Sequence, residues 1–185
     1  CRWLRTSGKS TELSISGGGS ITSDFNYSAV IPQFSMESWV HCKSTGTTRT
    51  IFSVVGEDSY DGSTHNYTFI LERTGTTLQF HWESGAGTNR QIDTGYVLPY
   101  DTTLHIVATR DASTNHLVLY VNNVVVYDSI YSTSDASGGT TGYVNVGSYK
   151  DGHLPSTGVI YQDFAAYEKI LTAADVNLRY LKGTT

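Results

Sequence analysis

The sequence is poor in charge, in methionine, in cysteine and in long apolar runs. Charged residues make up 16% of its 185 residues, and twelve Lys and Arg stand against seventeen Asp and Glu, for a formal charge of −5. Nucleic-acid binding needs a basic face that displaces counterions, and the sequence contains no basic cluster. No apolar run approaches the roughly 20 residues of a membrane-spanning helix. We therefore predict no nucleic-acid partner and no membrane span.

The two cysteines, Cys1 and Cys42, leave two interpretations open. In an oxidising compartment they can pair, and closing a loop of this length contributes roughly 4 kcal/mol in the chain-entropy model. Alternatively both are thiols, with Cys42 in a strand. Because position 1 is a cysteine, we expect a processed form or a piece of a longer chain, with residues 1–10 as a loose N-terminal extension.

Glycine, serine, threonine and tyrosine are abundant where charged residues are few. Thirteen tyrosines against one methionine favour sheet over helix. Turn signals recur every eight to twelve residues, which is typical of a β-sandwich or barrel. The stretch LVLYVNNVVVYDS at 117–129 is apolar on both sides of Asn122 and Asn123. Since Asn tolerates positive φ, this pattern predicts a two-residue hairpin turn.

A helical pattern stands out near the C-terminus. Thr172 and Asp175 have the spacing of a capping box, and Gly183 can end the helix, so we predict one short helix at 172–181. We find neither an internal repeat nor a linker. The sequence therefore predicts a single domain over 1–185.

Alternation in two predicted strands suggests a polar face. In FSMESWVHCK the side chains of Glu37, Trp39 and His41 share one face, and TLQFHWE places Gln79, His81 and Glu83 together. If the two strands are neighbours, they form a glycan cleft in which Trp39 stacks on a sugar ring. The alternative is a wet, half-exposed face without a ligand, or one covered by a loop or a partner subunit.

Three segments together resemble a known family. LHIVATRDASTNHLVLYVNN, VNVGSYKDG and GVIYQDFAAYEKILTAADV follow one another in the order and spacing of the laminin-G-like branch of the concanavalin A-like lectin and glucanase superfamily. The resemblance covers most of residues 12–181. It implies an all-β jelly roll of two antiparallel sheets with one short C-terminal helix.

The glucanases of this superfamily carry three carboxylates two and three residues apart on one strand, so that two of them flank the bond to be cut. Here the acidic residues nearest to predicted strands are Glu37, Glu72, Glu83 and Asp163, and no strand holds two at that spacing. We therefore predict that the chain is not an enzyme and has no catalytic residue.

Polar loops are the second predicted binding surface, since jelly-roll sites often lie on the rim. We expect the loops at 57–67 and 149–157 to meet there. Oxygen ligands from such loops suit calcium, for which Asp58 and Asp61 are the candidates, although no cofactor is required and solvated turns are the alternative. The loop candidates for ligand binding are Tyr60, Asp61, Tyr67, Asn89, Arg90, Tyr149, Asp151 and His153.

Two functions from different classes fit the sequence. The first is a non-catalytic, lectin-like module that recognises glycans or a cell-surface polysaccharide. The second is a structural virion or appendage protein, such as a phage decoration or tail-fibre jelly roll, which assembles with neighbouring subunits. Both predict an extracellular, cell-surface or virion-surface location.

Overall fold

The computed structural model describes residues 13–15, 21–27, 33–45, 50–56, 67–84, 88–131, 142–148 and 156–184. In these residues twelve strands precede one helix, α1, which spans Ala173–Gly183. The strands are β1 Leu13–Ile15, β2 Ile21–Tyr27, β3 Gln33–Cys42, β4 Thr50–Gly56, β5 Tyr67–Thr74, β6 Thr77–Ser84, β7 Thr88–Val97, β8 Thr103–Asp111, β9 His116–Val121, β10 Val124–Ile130, β11 Gly142–Val146 and β12 Val159–Tyr167.

The strands form two six-stranded sheets, both antiparallel. Sheet A has the order β1-β12-β3-β8-β9-β10, and sheet B has the order β2-β11-β4-β5-β6-β7. Strands that are far apart in the sequence are neighbours in each sheet, as in the pairing of β12 with β3 and of β11 with β2. The predicted jelly-roll sandwich is confirmed.

The hydrophobic core lies between the sheets. Alternation places Phe34, Met36, Val40 and Cys42 of β3 on the inner face of sheet A, as predicted, and all four are buried. Sheet B supplies side chains such as Phe69, Leu71, Leu78 and Phe80 from the other side. Cys1 lies outside the described residues, so its pairing with Cys42 stays a prediction.

The hairpin between β9 and β10 turns at the predicted pair. Asn122 has φ +50° and Asn123 has φ +65°, the left-handed backbone that a two-residue turn needs. The Asn122 side chain also accepts a hydrogen bond from the backbone N–H of His105 at 2.9 Å. The Asn123 side chain donates to Asn177 of α1 at 2.8 Å, so the turn contacts the helix as well.

Helix α1 begins as the capping box predicts. The Thr172 hydroxyl accepts from the backbone N–H of Asp175 at 3.2 Å, and the Asp175 carboxylate accepts from the backbone N–H of Thr172 at 3.0 Å. These bonds satisfy two of the N–H groups that a helix start leaves open. Among the described residues, no helix has both the length and the apolar character that a bilayer crossing requires.

Helix α1 packs on the outer face of sheet A, the face turned away from the core. A second, smaller hydrophobic cluster forms there; its members are Val107, Val118, Tyr120, Tyr167, Leu171 and Val176. The Trp39 indole stacks on Tyr180, with ring centroids 5.6 Å apart and planes inclined by 20°. The helix comes so close at Gly183 that a Cβ there would lie 2.4 Å from the Trp39 Nε1 atom.

Strand β7 is absent from the prediction, which treated ESGAGTNR at 83–90 as a loop. The structure instead places Asn89 and Arg90 in β7, the outermost strand of sheet B. Residues such as Asn, Asp and Gly have low strand propensity, so β7 gives a weak local signal. Pairing with β6 overrides that propensity. Strand β2, at the other edge of sheet B, was not predicted either.

The close approach at Gly183 leads to a prediction about stability. Alanine normally stabilises a helix relative to glycine by about 1 kcal/mol. Here we expect Gly183→Ala to lower the free energy of unfolding by roughly 1–3 kcal/mol, because the methyl group collides with Trp39. Urea denaturation followed by circular dichroism measures the change. Leu178→Ala, at an exposed position of the same helix, is the control and should stay near wild type. A stabilised Gly183→Ala variant would show that the helix does not pack in this way.

Candidate functional site

The predicted polar face does not form, because its two halves belong to different sheets. Strand β3 lies in sheet A between β12 and β8, whereas β6 lies in sheet B between β5 and β7. Trp39 and His41 therefore lie on the opposite side of the sandwich from His81. Each sheet has its own outer face, and the two faces differ in what occupies them.

On the outer face of sheet A, Glu37 lies at the centre of a buried polar network. Its Oε1 atom accepts a hydrogen bond from the Tyr167 hydroxyl at 2.5 Å and another from Arg179 of α1 at 2.7 Å. Arg179 also donates to the Tyr167 hydroxyl, and its guanidinium lies over the Tyr167 ring. His105 Nε2 is 3.7 Å from the other carboxylate oxygen, too far for a good hydrogen bond but close enough for attraction. Three strands and the helix thus meet at one carboxylate.

These contacts shift the pKa values of the Glu37 carboxyl and the Tyr167 hydroxyl. Burial raises the pKa of Glu37, but the neighbouring His105 imidazole, the Tyr167 hydroxyl and the Arg179 charge outweigh it, so the pKa lies below its ordinary value of 4.5. Burial also raises the pKa of Tyr167, and its hydrogen bond to Glu37 raises it further. At neutral pH the network therefore consists of a carboxylate, a phenol that keeps its proton and a guanidinium. This arrangement holds the helix on the sheet.

Trp39 and His41 belong to the helix-covered side. Besides Tyr180, the Trp39 ring contacts His105, with centroids 5.0 Å apart. His41 lies further along β3, half-buried, where its Nδ1 is 3.1 Å from the Thr103 hydroxyl. Ligand binding by either residue stays a prediction, and in this structure Trp39 is a packing partner of α1.

The outer face of sheet B carries polar side chains across several strands. In register, Asn145 faces Ser53, Ser53 faces Ile70, Ile70 faces His81, and His81 faces Gln91. The next row on the same face runs from Glu72 to Gln79 and on to Asp93. Because strand residues alternate between faces, both rows lie opposite the core residues of the same strands.

A carboxylate and an imidazole meet in the middle of this face. Glu72 Oε1 and His81 Nδ1 are 3.4 Å apart, and both side chains are at most a tenth exposed. Exposure increases toward β7: Gln79 is half-buried, while Gln91 and Asp93 are exposed. Asp93 is held in place, since its carboxylate accepts from the Thr77 hydroxyl at 3.1 Å and from the backbone N–H of Gly95 at 2.8 Å.

We call the residues Glu72, Gln79, His81, Gln91 and Asp93 the sheet-B polar face. Sequence reasoning found Gln79 and His81 but assigned them to the wrong neighbours. It did not find Gln91 and Asp93, because the strand that carries them was not predicted. Their spacing of two residues was the signal that could have placed both on one face.

The loop candidates fall in other parts of the chain. Asp58, Tyr60, Asp61, Tyr149, Asp151 and His153 lie outside the described residues, so the rim site and the calcium site stay predictions. Tyr67 lies in β5, and Asn89 and Arg90 lie in β7; the structure describes only the backbone of these three. In the described part of the chain, no three His, Cys, Asp or Glu side chains are grouped to hold a metal ion.

Solved structures with this architecture include a pentraxin and toxin domains. The heptameric SAP-like pentraxin from Limulus polyphemus aligns with a TM-score of 0.63 at 16% identity, over 89% of this chain and 79% of that one. The botulinum neurotoxin serotype G binding domain aligns with a TM-score of 0.61 at 15% identity, over 97% of this chain. This chain spans 48% of that toxin domain. At such identities the similarity concerns the fold.

A further structure, described as the botulinum neurotoxin type G receptor binding domain, aligns with a TM-score of 0.57 at 15% identity over 94% of this chain and 46% of that one. Comparison with curated protein sequences gave no match. The laminin-G-like family model, described as concanavalin A-like lectin/glucanases superfamily, matches residues 8–177. The match takes in most of both sheets and the first half of α1. The chain therefore belongs to the concanavalin A-like lectin/glucanases superfamily, in its laminin-G-like branch.

Proposed function

We propose that this chain is a non-catalytic, lectin-like module that binds glycans at a cell surface through the sheet-B polar face. The observation that carries the proposal is the row of accessible polar side chains at the β7 end of sheet B. Helix α1 occupies the outer face of sheet A. The outer face of sheet B is buried in its middle, at Ser53, Ile70 and His81, and becomes accessible toward β7 at Gln79, Gln91 and Asp93. Such groups hydrogen-bond to sugar hydroxyls.

The charges on this face favour neutral or cationic glycans. Among the described side chains of the sheet-B polar face, Glu72 and Asp93 are acidic and none is Lys or Arg. The whole chain carries a formal charge of −5. A sialylated or sulfated glycan would therefore approach a surface of like charge, which disfavours binding. Gln79 and Gln91 can both donate and accept, as a neutral sugar requires.

Glu37 and Glu72 do not form the carboxylate pair of a glycosidase. Glycosidases hold two carboxyl groups roughly 5–10 Å apart, on either side of the scissile bond. Glu37 lies on the outer face of sheet A, and Glu72 lies on the outer face of sheet B. Two packed sheets are about 10 Å apart, so side chains on opposite outer faces are farther apart than that. Moreover, the Glu37 carboxylate is already engaged with Tyr167 and Arg179.

A structural role in a virion or appendage is the second candidate, and the exposed edge of sheet A favours it. Strand β10 is the last strand of that sheet, and it exposes Val124, Val125 and Ile130, the last of these at 72%. Helix α1, which the hairpin turn contacts, exposes Leu178 and Leu181. An apolar edge strand can pair with another subunit. A glycan-binding module should bind as a monomer, whereas a structural subunit should form oligomers, which sedimentation analysis distinguishes.

The binding proposal predicts the effect of a double substitution. We expect the wild-type protein to bind neutral glycans on an array, and Gln79→Ala with Gln91→Ala to weaken the best of these by about 1–3 kcal/mol, since each hydrogen bond contributes about 0.5–1.5 kcal/mol. Calorimetric titration with that glycan gives the affinity, and thermal melting checks that folding is unchanged. Gln33→Ala, an exposed glutamine on sheet A, is the matched control.

Three results would count against this proposal. If the array binds no glycan, the proposed function is wrong. If the glutamine pair has no effect but Tyr60→Ala with Tyr149→Ala abolishes binding, the ligand lies at the predicted loop rim. Stronger binding to sialylated than to neutral glycans would contradict the charge argument.

The non-catalytic role predicts no turnover of β-glucan, xylan or sialosides above the buffer rate, as measured by reducing-sugar release. Any activity should be tested in Glu72→Gln and Glu83→Gln, because these carboxylates belong to the strands of the proposed site. Activity that one of these substitutions removes would establish an enzyme.

A further inference from the structure

The attachment of helix α1 is separate from the hydrophobic core of the sandwich. The core cluster lies between the sheets. Val107, Val118 and Tyr120 instead form a cluster with Val176 of the helix on the outer face of sheet A. Because the two clusters share no buried residue, the helix can leave its sheet without opening the core. Such a segment has the properties of a locally unfolding unit.

Apolar burial by α1 itself is small. Of its eleven residues Val176 is the buried one, while Leu178 and Leu181 are more than half exposed. An isolated helix of this length is marginal in water, so its folding depends on its contacts. The polar contacts to the sheet centre on Arg179, whose side chain is 22% exposed where it meets the Glu37 carboxylate. The Glu37–Arg179 pair therefore holds the helix together with the stacking of Tyr180 on Trp39 and the burial of Val176.

We propose that α1 is an acid-released latch: protonation of Glu37 uncouples the helix from sheet A while the sandwich stays folded. When Glu37 is protonated, the Arg179 guanidinium loses its ion pair with this carboxylate at a partly buried position, which weakens the contact between α1 and sheet A. Release uncovers Trp39 and the outer apolar surface of β8 and β9. The consequence is an apolar, aromatic surface that is available in acid and hidden at neutral pH.

The direction of the pH dependence follows from the groups that face Glu37. These are His105 from β8, Tyr167 from β12 and Arg179 from α1. Burial raises the pKa of Glu37, but His105 and Tyr167 from the strands and then Arg179 from α1 lower it, so the pKa lies below 4.5. The stabilising effect of the Glu37–Arg179 pair is therefore fully present above pH 4.5 and is lost as the pH falls and Glu37 takes up a proton. Tyr167 keeps its proton throughout.

The effect of acid on a second carboxylate, Asp175, must be distinguished from its effect on Glu37. Asp175, at the start of α1, has a pKa lowered by its hydrogen bonds with Thr172, and Lys169 lies 4.0 Å from its carboxylate. Acid therefore also weakens the helix cap. Matched variants at Glu37 and Asp175 distinguish loss of the cap from loss of the latch.

The test is backbone amide hydrogen exchange of the full chain, followed by NMR from pH 7 to pH 3 and corrected for intrinsic exchange. We expect the amides of α1 to lose at least tenfold protection below pH 4.5, while those of β8 and β9 keep theirs. Glu37→Gln should show the loosened helix already at pH 7, with little further change in acid. Asp175→Asn should keep most of the wild-type acid response. Asp128→Asn, which removes an exposed carboxylate paired with His116, should match the wild type.

Two outcomes would overturn the proposal. One is a wild-type helix whose protection relative to β8 is the same at pH 7 and pH 3, or is lost together with that of the strands in a single step. The other is Glu37→Gln with an unchanged acid response. If Glu37→Gln does not fold, Arg179→Gln removes the partner charge instead and should also loosen α1 at pH 7.

Discussion

The contact between α1 and the outer face of sheet A decides which surface of this sandwich is left for a ligand. That contact combines a close approach of Gly183 to Trp39, stacking of Trp39 on Tyr180, and the Glu37–Arg179 pair. It makes sheet A buried on both faces in its middle strands. Strand β8 shows the effect directly, because Leu104–Arg110 are all buried instead of alternating between buried and exposed. In sheet B, β4 and β5 are also buried on both faces, and Gln79, Gln91 and Asp93 near β7 are the accessible side chains that we propose for ligand contact.

The sequence was sufficient to predict the elements that depend on residues close together in the chain. The Asn122–Asn123 turn follows from the tolerance of Asn for positive φ, and α1 follows from the Thr172–Asp175 capping box. The family resemblance then supplied the sandwich. The sequence did not predict strand β7, because residues such as Asn, Asp and Gly have low strand propensity. The strand forms by pairing with β6.

The candidate site was harder to predict because alternation assigns a residue to a face but not to a sheet. Glu37, Trp39 and His41 do share a face, and so do Gln79 and His81, yet the two faces are on opposite sides of the molecule. The acidic residue in β3 also illustrates why composition is ambiguous. A carboxylate on a strand suits a sugar-binding face and suits an anchor for an arginine equally well. Only the position of α1, which depends on the fold as a whole, decides that Glu37 is the anchor.

The two outer faces each bury a carboxylate next to an imidazole, but in different surroundings. Glu37 has the charge of Arg179 and the Tyr167 hydroxyl beside it, which gives this ionised group a structural reason to be there. Glu72 lies 3.4 Å from His81 on a face that opens toward the exposed Gln91 and Asp93. Burying charged groups costs free energy, and an apolar pair at such positions is often as stable or more stable. We propose that Glu72 and His81, on a sheet face that leads to the surface, take part in recognition as members of the sheet-B polar face. On this argument the Glu72–His81 pair forms the inner wall of the site, and β7 forms its entrance.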